Sequence, residues 1–285
     1  MSAIFVTTWK EAVRRKTFLV MTAVTLLYLI FWAVMLHYYV KTANEQGLAD
    51  AFTGLASHMI TQMGLQFSSM LIALLTVMLG AGAISSEVES GVVLSIVTRP
   101  VRRFEYVLGK FLGLATLACV YATLLYGLIL ALGAVFQIST VTAMSFAQVA
   151  GGWGFYLLVP VAVLCLTVFG STILKTVPNG LLVIFIYILG NVGGMVEMIG
   201  NYIASKSVVA AGIFVSLISP FNTLYGGMER KLLPSNGIVG ELMRGASGLS
   251  GGGSPASWAM YVYIGVYMAG FLAWTVWRFH KKDIT

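Results

Sequence analysis

Side chains able to do chemistry are few in this sequence, and their spacing does not assemble a reaction centre. The pattern Gly245-Ala246-Ser247-Gly248 has the form of a serine nucleophile motif, but it lies in a polar Gly/Ser stretch. The three histidines, His37, His58 and His280, lie near the ends of apolar runs or in loops, so none is placed to act as a base for that serine. A membrane-embedded protease is therefore a disfavoured alternative.

Metal and phosphate chemistry find no better support. The histidines and the two cysteines, Cys119 and Cys165, lack metal-ligand spacing. The chain has no Gly-x-x-x-x-Gly-Lys-Ser/Thr pattern, since Gly109-Lys110 lacks the preceding glycine and the following hydroxyl. We expect no catalytic residue, no metal site and no cofactor bound directly, so any ATP hydrolysis belongs to a partner subunit and the chain itself is not an enzyme.

Glu197 is the ionisable residue that comes closest to the middle of an apolar run. Its position in the fifth run predicts a location at the outer membrane interface, and a gating or cargo-path contact is the alternative. An ion-coupled carrier or channel would normally keep ionisable groups at mid-membrane, where they are costly unless function retains them. A carrier or channel is therefore the alternative function.

The elements that must position these residues are membrane helices. The chain has 285 residues, of which 59% are hydrophobic and 9% charged, and its mean hydropathy is +0.91. That leaves too few polar side chains to cover a soluble globule. Because the apolar runs are long and continuous, helices are favoured over a barrel, and we expect an all-α integral membrane protein.

Apolar runs predict six transmembrane helices. They lie at 18–39, 65–84, twice within 111–174, at 181–199 and at 258–277. Polar residues between 137 and 152 mark the turn inside the longest run. The region 204–257 is interpreted as an extracytoplasmic re-entrant or loop region, because its apolar run at 208–218 is too short to span; a seventh crossing is the competing interpretation. The Gly/Ser stretch 245–254 predicts a flexible loop.

Basic residues predict the orientation. The formal charge is +7, yet the cations flank apolar runs, which indicates membrane topology and no nucleic-acid partner. Twelve of the 17 Lys and Arg residues fall on one side of the six-span chain: Lys10, Arg14, Arg15, Lys16, Arg99, Arg102, Arg103, Lys110, Lys175, Arg278, Lys281 and Lys282. The expectation is a multi-pass protein of the cell (plasma) membrane, with cytoplasmic N- and C-termini.

The segment 1–16 predicts an amphipathic interfacial helix. Trp9 belongs to its apolar face, whereas Lys10, Arg14 and Arg15 fall on other faces. Such a helix lies on the inner membrane surface in contact with the lipid bilayer. It is either a basic anchor for the first span or also a contact for a cytosolic partner.

The loop between the second and third spans predicts a short cytosolic helix at 86–100. Ser86 and Glu89 have capping-box spacing, and Pro100 ends the pattern after Arg99. Four apolar residues share one face: Val88, Val92, Ile96 and Val97. A helix joined closely to two spans can transmit force from a protein docked on it, although a charged loop can also be a plain solvated connection.

This loop resembles the corresponding loop of type-2 ABC exporter permeases. The matching positions are Glu87, Glu89, Gly91, Arg99, Pro100, Arg102, Gly109 and Lys110. The amphipathic start, the six spans and Ser219-Pro220-Phe221-Asn222 are similar to that family too, so the resemblance covers nearly the whole of 1–285 as a single membrane domain. Residues 219–225 also resemble the copper-enzyme maturation branch of the family.

The resemblance implies an exporter permease whose cytosolic coupling helix sits in a groove of an ATPase subunit. Glu87, Glu89, Gly91, Arg99, Pro100 and Arg102 would be the coupling residues. It further implies a second permease copy, in a homo- or heterodimer, and two copies of a cytosolic ABC ATPase that hold ATP and Mg. The cargo stays undefined.

Glycines on the fifth span suggest a close helix contact. Gly190, Gly193 and Gly194 remove side-chain bulk from one region of that helix. As a hypothesis, they form part of the contact between two permease copies.

Overall fold

The computed structural model describes residues 2–46, 50–89, 103–232 and 258–281. These residues form helices joined by short turns. In chain order the helices are α1 (Ser2–Arg14), α2 (Lys16–Gln46), α3 (Asp50–Gly80), α4 (Ser85–Glu89), α5 (Arg103–Val135), α6 (Ser139–Thr142), α7 (Phe146–Ser171), α8 (Thr176–Tyr202), α9 (Lys206–Ile218), α10 (Phe221–Leu232) and α11 (Trp258–Lys281). The all-α prediction is confirmed, whereas the predicted loop at 245–254 lies outside the described residues.

Six helical segments in the described part of the chain are long and apolar enough to cross a membrane. They are Lys16–Glu45, Thr53–Glu87, Phe104–Val135, Phe146–Ser171, Thr176–Tyr202 and Trp258–Arg278. Each includes one of the six predicted spans, so the chain is a multi-pass membrane protein. The second segment contains α3, a turn at 81–84 and α4.

The predicted break inside the longest apolar run is sharply defined. α5 ends at Val135, and α7 begins after Ser145. The Ser145 hydroxyl accepts the Gln148 backbone N–H at 3.3 Å, while Gln148 Oε1 accepts the Ser145 N–H at 2.8 Å. This reciprocal cap satisfies backbone donors that a helix start otherwise leaves unpaired.

Contacts across the bundle define two ends. At one end, here called the α1 end, lie α1, the turn at 81–84, the start of α5 and the start of α8. Gly113 of α5 packs against Thr8 of α1, and a Cβ on Gly82 would lie 3.1 Å from Thr176 of α8. At the opposite end, here called the far end, Ser57 near the start of α3 hydrogen-bonds Thr140 of α6 at 2.7 Å.

The re-entrant segment predicted before the last span is present as a bent pair of helices. α9 and α10 meet at 100°, where Pro220 cannot continue the helix hydrogen bonding of α9. α9 runs back along α8 from the far end, since Val209 contacts Gly200 and Ser219 contacts Gly190. α10 then returns to the far end, where the Lys231 side chain packs on Gly151 at the start of α7. Both arms therefore open toward the same end, which makes the pair a hairpin rather than a seventh crossing.

Two of the α8 glycines pack closely within the same chain. A Cβ on Gly193 would lie 2.8 Å from Val215 Cγ1, and one on Gly190 would overlap Ser219. On the opposing helix, a Cβ on Gly212 would lie 2.6 Å from the backbone nitrogen of Glu197. α9 of the same chain thus covers Gly190 and Gly193, while the hypothesis that the fifth span contributes to the contact between two permease copies stays a prediction.

Candidate functional site

Only the beginning of the predicted coupling helix falls within the described residues. Glu87 and Glu89 lie on α4, whereas Gly91, Arg99, Pro100 and Arg102 lie outside the described residues. The capping box predicted for Ser86 and Glu89 is wrong. α4 begins at Ser85, and both the backbone N–H and the hydroxyl of Ser86 donate to the Gly82 carbonyl. Ser86 thus continues the helix instead of starting it.

Glu87 points inward and forms an ion pair with Lys110 of α5. The Lys110 side chain is 5% exposed and that of Glu87 is 16% exposed. The Lys110 ammonium also lies 3.4 Å from the Tyr106 hydroxyl and 5.6 Å from the centre of the Tyr106 ring. A pair shielded to this degree is costly to break, because each charge would lose its partner in a poorly solvated place. It joins the two helices, α4 and α5, that flank residues 90–102, and these residues lie outside the described ranges.

The turn at 81–84 is fixed by polar side chains from the fourth and fifth spans, α7 and α8. Ser171 at the end of α7 accepts the backbone N–H groups of Ile84 and Ser85, at 2.9 and 3.0 Å. The fully buried Asn179 of α8 donates to the carbonyls of Ala81 and Thr167, at 3.0 and 2.9 Å. Backbone groups released where α3 stops are therefore satisfied. Sequence reasoning missed both residues, since each is a single polar side chain at a helix end.

The predicted interfacial helix is present as α1, and part of its apolar face packs on protein. Ala12 is 2% exposed, and the half-buried Trp9 packs in the same cluster as α5 residues. Lys10 and Arg14 are exposed, and Arg15 pairs with Glu11 one turn earlier. With Thr7, these four charged residues line a shallow groove at the α1 end. The structure thus brings the basic residues of α1 and the root of the loop 90–102 to the same end of the bundle.

A buried polar cluster at the far end was missed from the sequence. His58, Gln62 and Gln66 follow each other at four-residue spacing on α3, so they share one helix face. The Tyr225 hydroxyl of α10 lies 3.0 Å from Gln62 Oε1, and Gln62 lies 3.5 Å from the His58 ring. Glu229, one turn after Tyr225, is 1% exposed. The signal was the polar stripe on α3, hidden in a segment that contains no formal charge.

The far-end polar cluster, defined as His58, Gln62, Gln66, Asn191, Tyr225 and Glu229, extends to α8. Gln66 Nε2 donates to Asn191 Oδ1 at 3.0 Å, and Asn191 Nδ2 donates to the Tyr187 carbonyl. Placing polar groups between membrane helices costs free energy, and such groups are usually retained where they have a function. The cluster is therefore a candidate functional site. Glu197, the residue predicted at the outer interface, is half-buried on α8 beside Gly212 of α9. Its gating role stays a prediction.

No group of three or more His, Cys, Asp or Glu side chains in the described ranges could hold a metal ion. Comparison with known proteins gives one family. A family model described as "ABC-2 family transporter protein" matches residues 2–284. No curated protein matches the chain.

Proposed function

Since this chain belongs to the ABC-2 family of transporter proteins, which makes it a membrane permease of an ABC transporter, we propose that it serves an exporter driven by a separate cytosolic ATPase. The observation that carries the proposal is the Glu87–Lys110 pair at the root of the loop 90–102. A force applied to that loop reaches α3 and α5 together, because the buried pair ties their ends to each other. The orientation follows from the charge distribution: the α1 end, rich in Lys and Arg, faces the cytoplasm of the cell.

The assembly we propose contains two permeases and two ATPases, with ATP and Mg held by the ATPases. The described surface leaves room for a second permease. α2 exposes a run of large apolar side chains, including Leu26, Leu27, Ile30 and Phe31. Such a face suits either lipid or another copy of the chain. Whether the second copy is identical does not affect the coupling role.

The far-end polar cluster supports a cargo path that leaves the membrane on the far side. The cluster joins α3, α8 and the α9–α10 hairpin. A shift of α3 would therefore move Gln62 relative to Tyr225 of α10 and alter the hydrogen bond between them. An ion-coupled carrier is the second candidate function, favoured by the burial of Glu229. The two functions differ in their energy source, which an experiment on the partner separates.

A pull-down from native membranes in mild detergent tests the proposal. We compare the unchanged chain with a double variant of the predicted coupling segment, Glu89→Arg with Arg99→Glu. The matched control is Lys41→Glu with Glu45→Arg, which reverses two exposed charges at the far end. The unchanged chain and the control are expected to recover an ATP-binding-cassette subunit that the coupling variant loses. Absence of such a subunit with the well-folded unchanged chain would favour the carrier.

A further inference from the structure

A cleft on the side of the bundle lies between the starts of α2 and α8 and the end of α3. Its volume is about 460 Å³, within the range of sites that take small molecules. Its walls contain Arg15, Lys16 and Thr176 at one end and Gly180, Leu181 and Ile184 at the other. None of these residues belongs to the far-end polar cluster or to the Glu87–Lys110 pair.

The polar and apolar parts of the cleft are separated along the membrane axis. Arg15 lies between α1 and α2, and Lys16 and Thr17 begin α2. Ser86 lies just after the turn that ends α3, and Thr176 begins α8, so all five lie at the α1 end. The apolar residues lie deeper. Ile184 is eight residues beyond Thr176 on α8, roughly 12 Å along the helix. The lining is mostly apolar and its polar side chains are confined to the α1 end, so the cleft suits a molecule with a long apolar part and a small polar head.

The charge of the polar part selects an anionic head. Lys16 is exposed, and Arg15 contributes a second cation that is shared with Glu11. The nearby carboxylate of Glu87 is neutralised by Lys110. α2 and α8 both begin at this part of the cleft. The positive ends of their helix dipoles favour negative charge in the same place. Three hydroxyls, from Thr17, Ser86 and Thr176, complete the polar lining.

The side of the cleft is open to the bilayer. Val177 and Leu181 on α8 are 71% and 65% exposed, and Met78 on α3 is 39% exposed. These apolar residues lie on the outside of two segments that cross the membrane. An acyl chain can therefore enter sideways, whereas a water-soluble anion would leave the apolar wall uncovered.

We propose that this cleft binds one anionic phospholipid, with its phosphate at Arg15, Lys16 and Thr176 and one acyl chain along Gly180, Leu181 and Ile184. Basic pockets between membrane helices recognise anionic headgroups in this way. The lipid fills the space between α2 and α8 beside the root of the loop 90–102. Its binding does not depend on the partner ATPase or on the exporter function.

Native mass spectrometry of the full chain, with phosphatidylglycerol or phosphatidylcholine of identical acyl chains, tests the headgroup part of the proposal. One phosphatidylglycerol is expected to bind in preference to phosphatidylcholine. Lys16→Gln should weaken phosphatidylglycerol binding about fivefold, whereas Lys41→Gln, which changes an exposed lysine at the far end, should change it by less than about twofold. Equal effects of the two variants, or equal binding of the two lipids, would overturn the proposal.

A second pair of variants tests the apolar wall. Gly180→Leu adds a side chain that fills the cleft. A Cβ at position 180 would come no closer than 3.6 Å to its nearest neighbour, Ala81, so the position has room for it. Phosphatidylglycerol binding should fall about tenfold. Gly127→Leu on α5, where a Cβ meets nothing within 4 Å, should leave binding unchanged. Full displacement of the lipid by inorganic phosphate would show a site for a soluble anion instead. A change from dimer to monomer in Gly180→Leu with lipid binding intact would show that a second copy covers the cleft. Either result contradicts the proposal.

Discussion

At the scale of single residues, the Glu87–Lys110 pair gives Glu87 a structural contact in addition to the coupling role that the resemblance implies for it. A residue that docks into a partner must be accessible, and Glu87 instead faces Lys110 with most of its side chain covered. Glu89, two residues later, is exposed. We therefore expect Glu87 to hold this part of the chain through Lys110 and Glu89 to be the more accessible of the two, while the coupling role of both residues stays a prediction.

Removing one member of this pair should destabilise the chain more than removing both. Lys110→Met leaves the Glu87 charge without its partner and should cost on the order of 3 kcal/mol in the free energy of unfolding. The double variant Lys110→Met with Glu87→Gln should cost clearly less. Thermal unfolding of the purified protein measures the stability of the double variant and of the single variants Lys110→Met and Glu87→Gln. A double variant that loses as much stability as the two single variants added together would contradict the role assigned to the pair.

Ser171 should contribute more to the free energy of unfolding than most single serine side chains at a helix end. Ser171→Ala leaves the N–H groups of Ile84 and Ser85 without their acceptor in a buried turn, at a cost of about 1–3 kcal/mol. Ser86→Ala is the matched control, because the Ser86 hydroxyl donates only to the carbonyl of Gly82, four residues earlier in the chain. Thermal unfolding should separate the two variants, and an equal loss of stability would show that Ser171 does not hold the turn.

At the scale of elements, glycine allows α8 and α9 to approach each other closely. Gly212→Ala places a methyl group against the Glu197 backbone, which cannot move aside as a flexible side chain would. The variant should lower the thermal unfolding midpoint through overpacking worth about 1–3 kcal/mol. Gly265→Ala on α11, with nothing within 4 Å of the new methyl group, should be neutral or stabilising. A neutral Gly212→Ala would contradict the close packing of α9 on α8.

The hairpin formed by α9 and α10 predicts a pattern of labelling from outside the membrane. Cysteines that replace Lys206 and Lys231 should react with a membrane-impermeant thiol reagent from the same side, since both arms open at the far end. A cysteine that replaces Lys175 should react from the opposite side. The background chain has Cys119 and Cys165 replaced by serine. Labelling of positions 206 and 231 from opposite sides would establish a seventh crossing.

The spans could be predicted from the sequence because the bilayer itself fixes the length of an uncharged helix. The turn before α7 was equally visible, since Ser145 and Gln148 form their cap within four residues. Contacts between distant parts of the chain could not be predicted in this way. Only the tertiary packing shows that Gly193 contacts Val215 of the same chain, where the sequence alone also allowed a contact with a second copy. The capping box at Ser86 failed because α4 follows a turn that already supplies the carbonyl of Gly82.

The candidate site was predicted in part for a related reason. The loop between α3 and α5 was found because its charges interrupt apolar runs, and Lys110 marks the place where the next span begins. The far-end polar cluster was missed because its residues on α3 are uncharged, and because Glu229 is linked in sequence to basic neighbours that suggest a solvated loop. Burial of such a carboxylate is a property of the packed hairpin.

At the scale of the whole molecule, the proposed functions fall at opposite ends of the bundle. The α1 end holds the basic residues, the ion pair beside residues 90–102 and the cleft proposed to bind a lipid. The far end holds the polar cluster between α3, α8 and the hairpin. α3 connects the two, since its first half carries Gln62 and its end carries the turn beside Asn179. If the proposed function holds, movement of α3 would link binding of the ATPase at one end to opening of the cargo path at the other.

The central claim, that a separate ATPase docks on the loop between α3 and α5, is tested most directly by site-specific photocrosslinking in intact cells. A photoreactive residue replaces Arg99 in one protein and Lys41, at the far end, in another. The account predicts that the probe at position 99 captures a protein with an ATP-binding cassette and that the probe at position 41 does not. Capture of that protein at position 41, or none at position 99 while the chain is folded in the membrane, would contradict it.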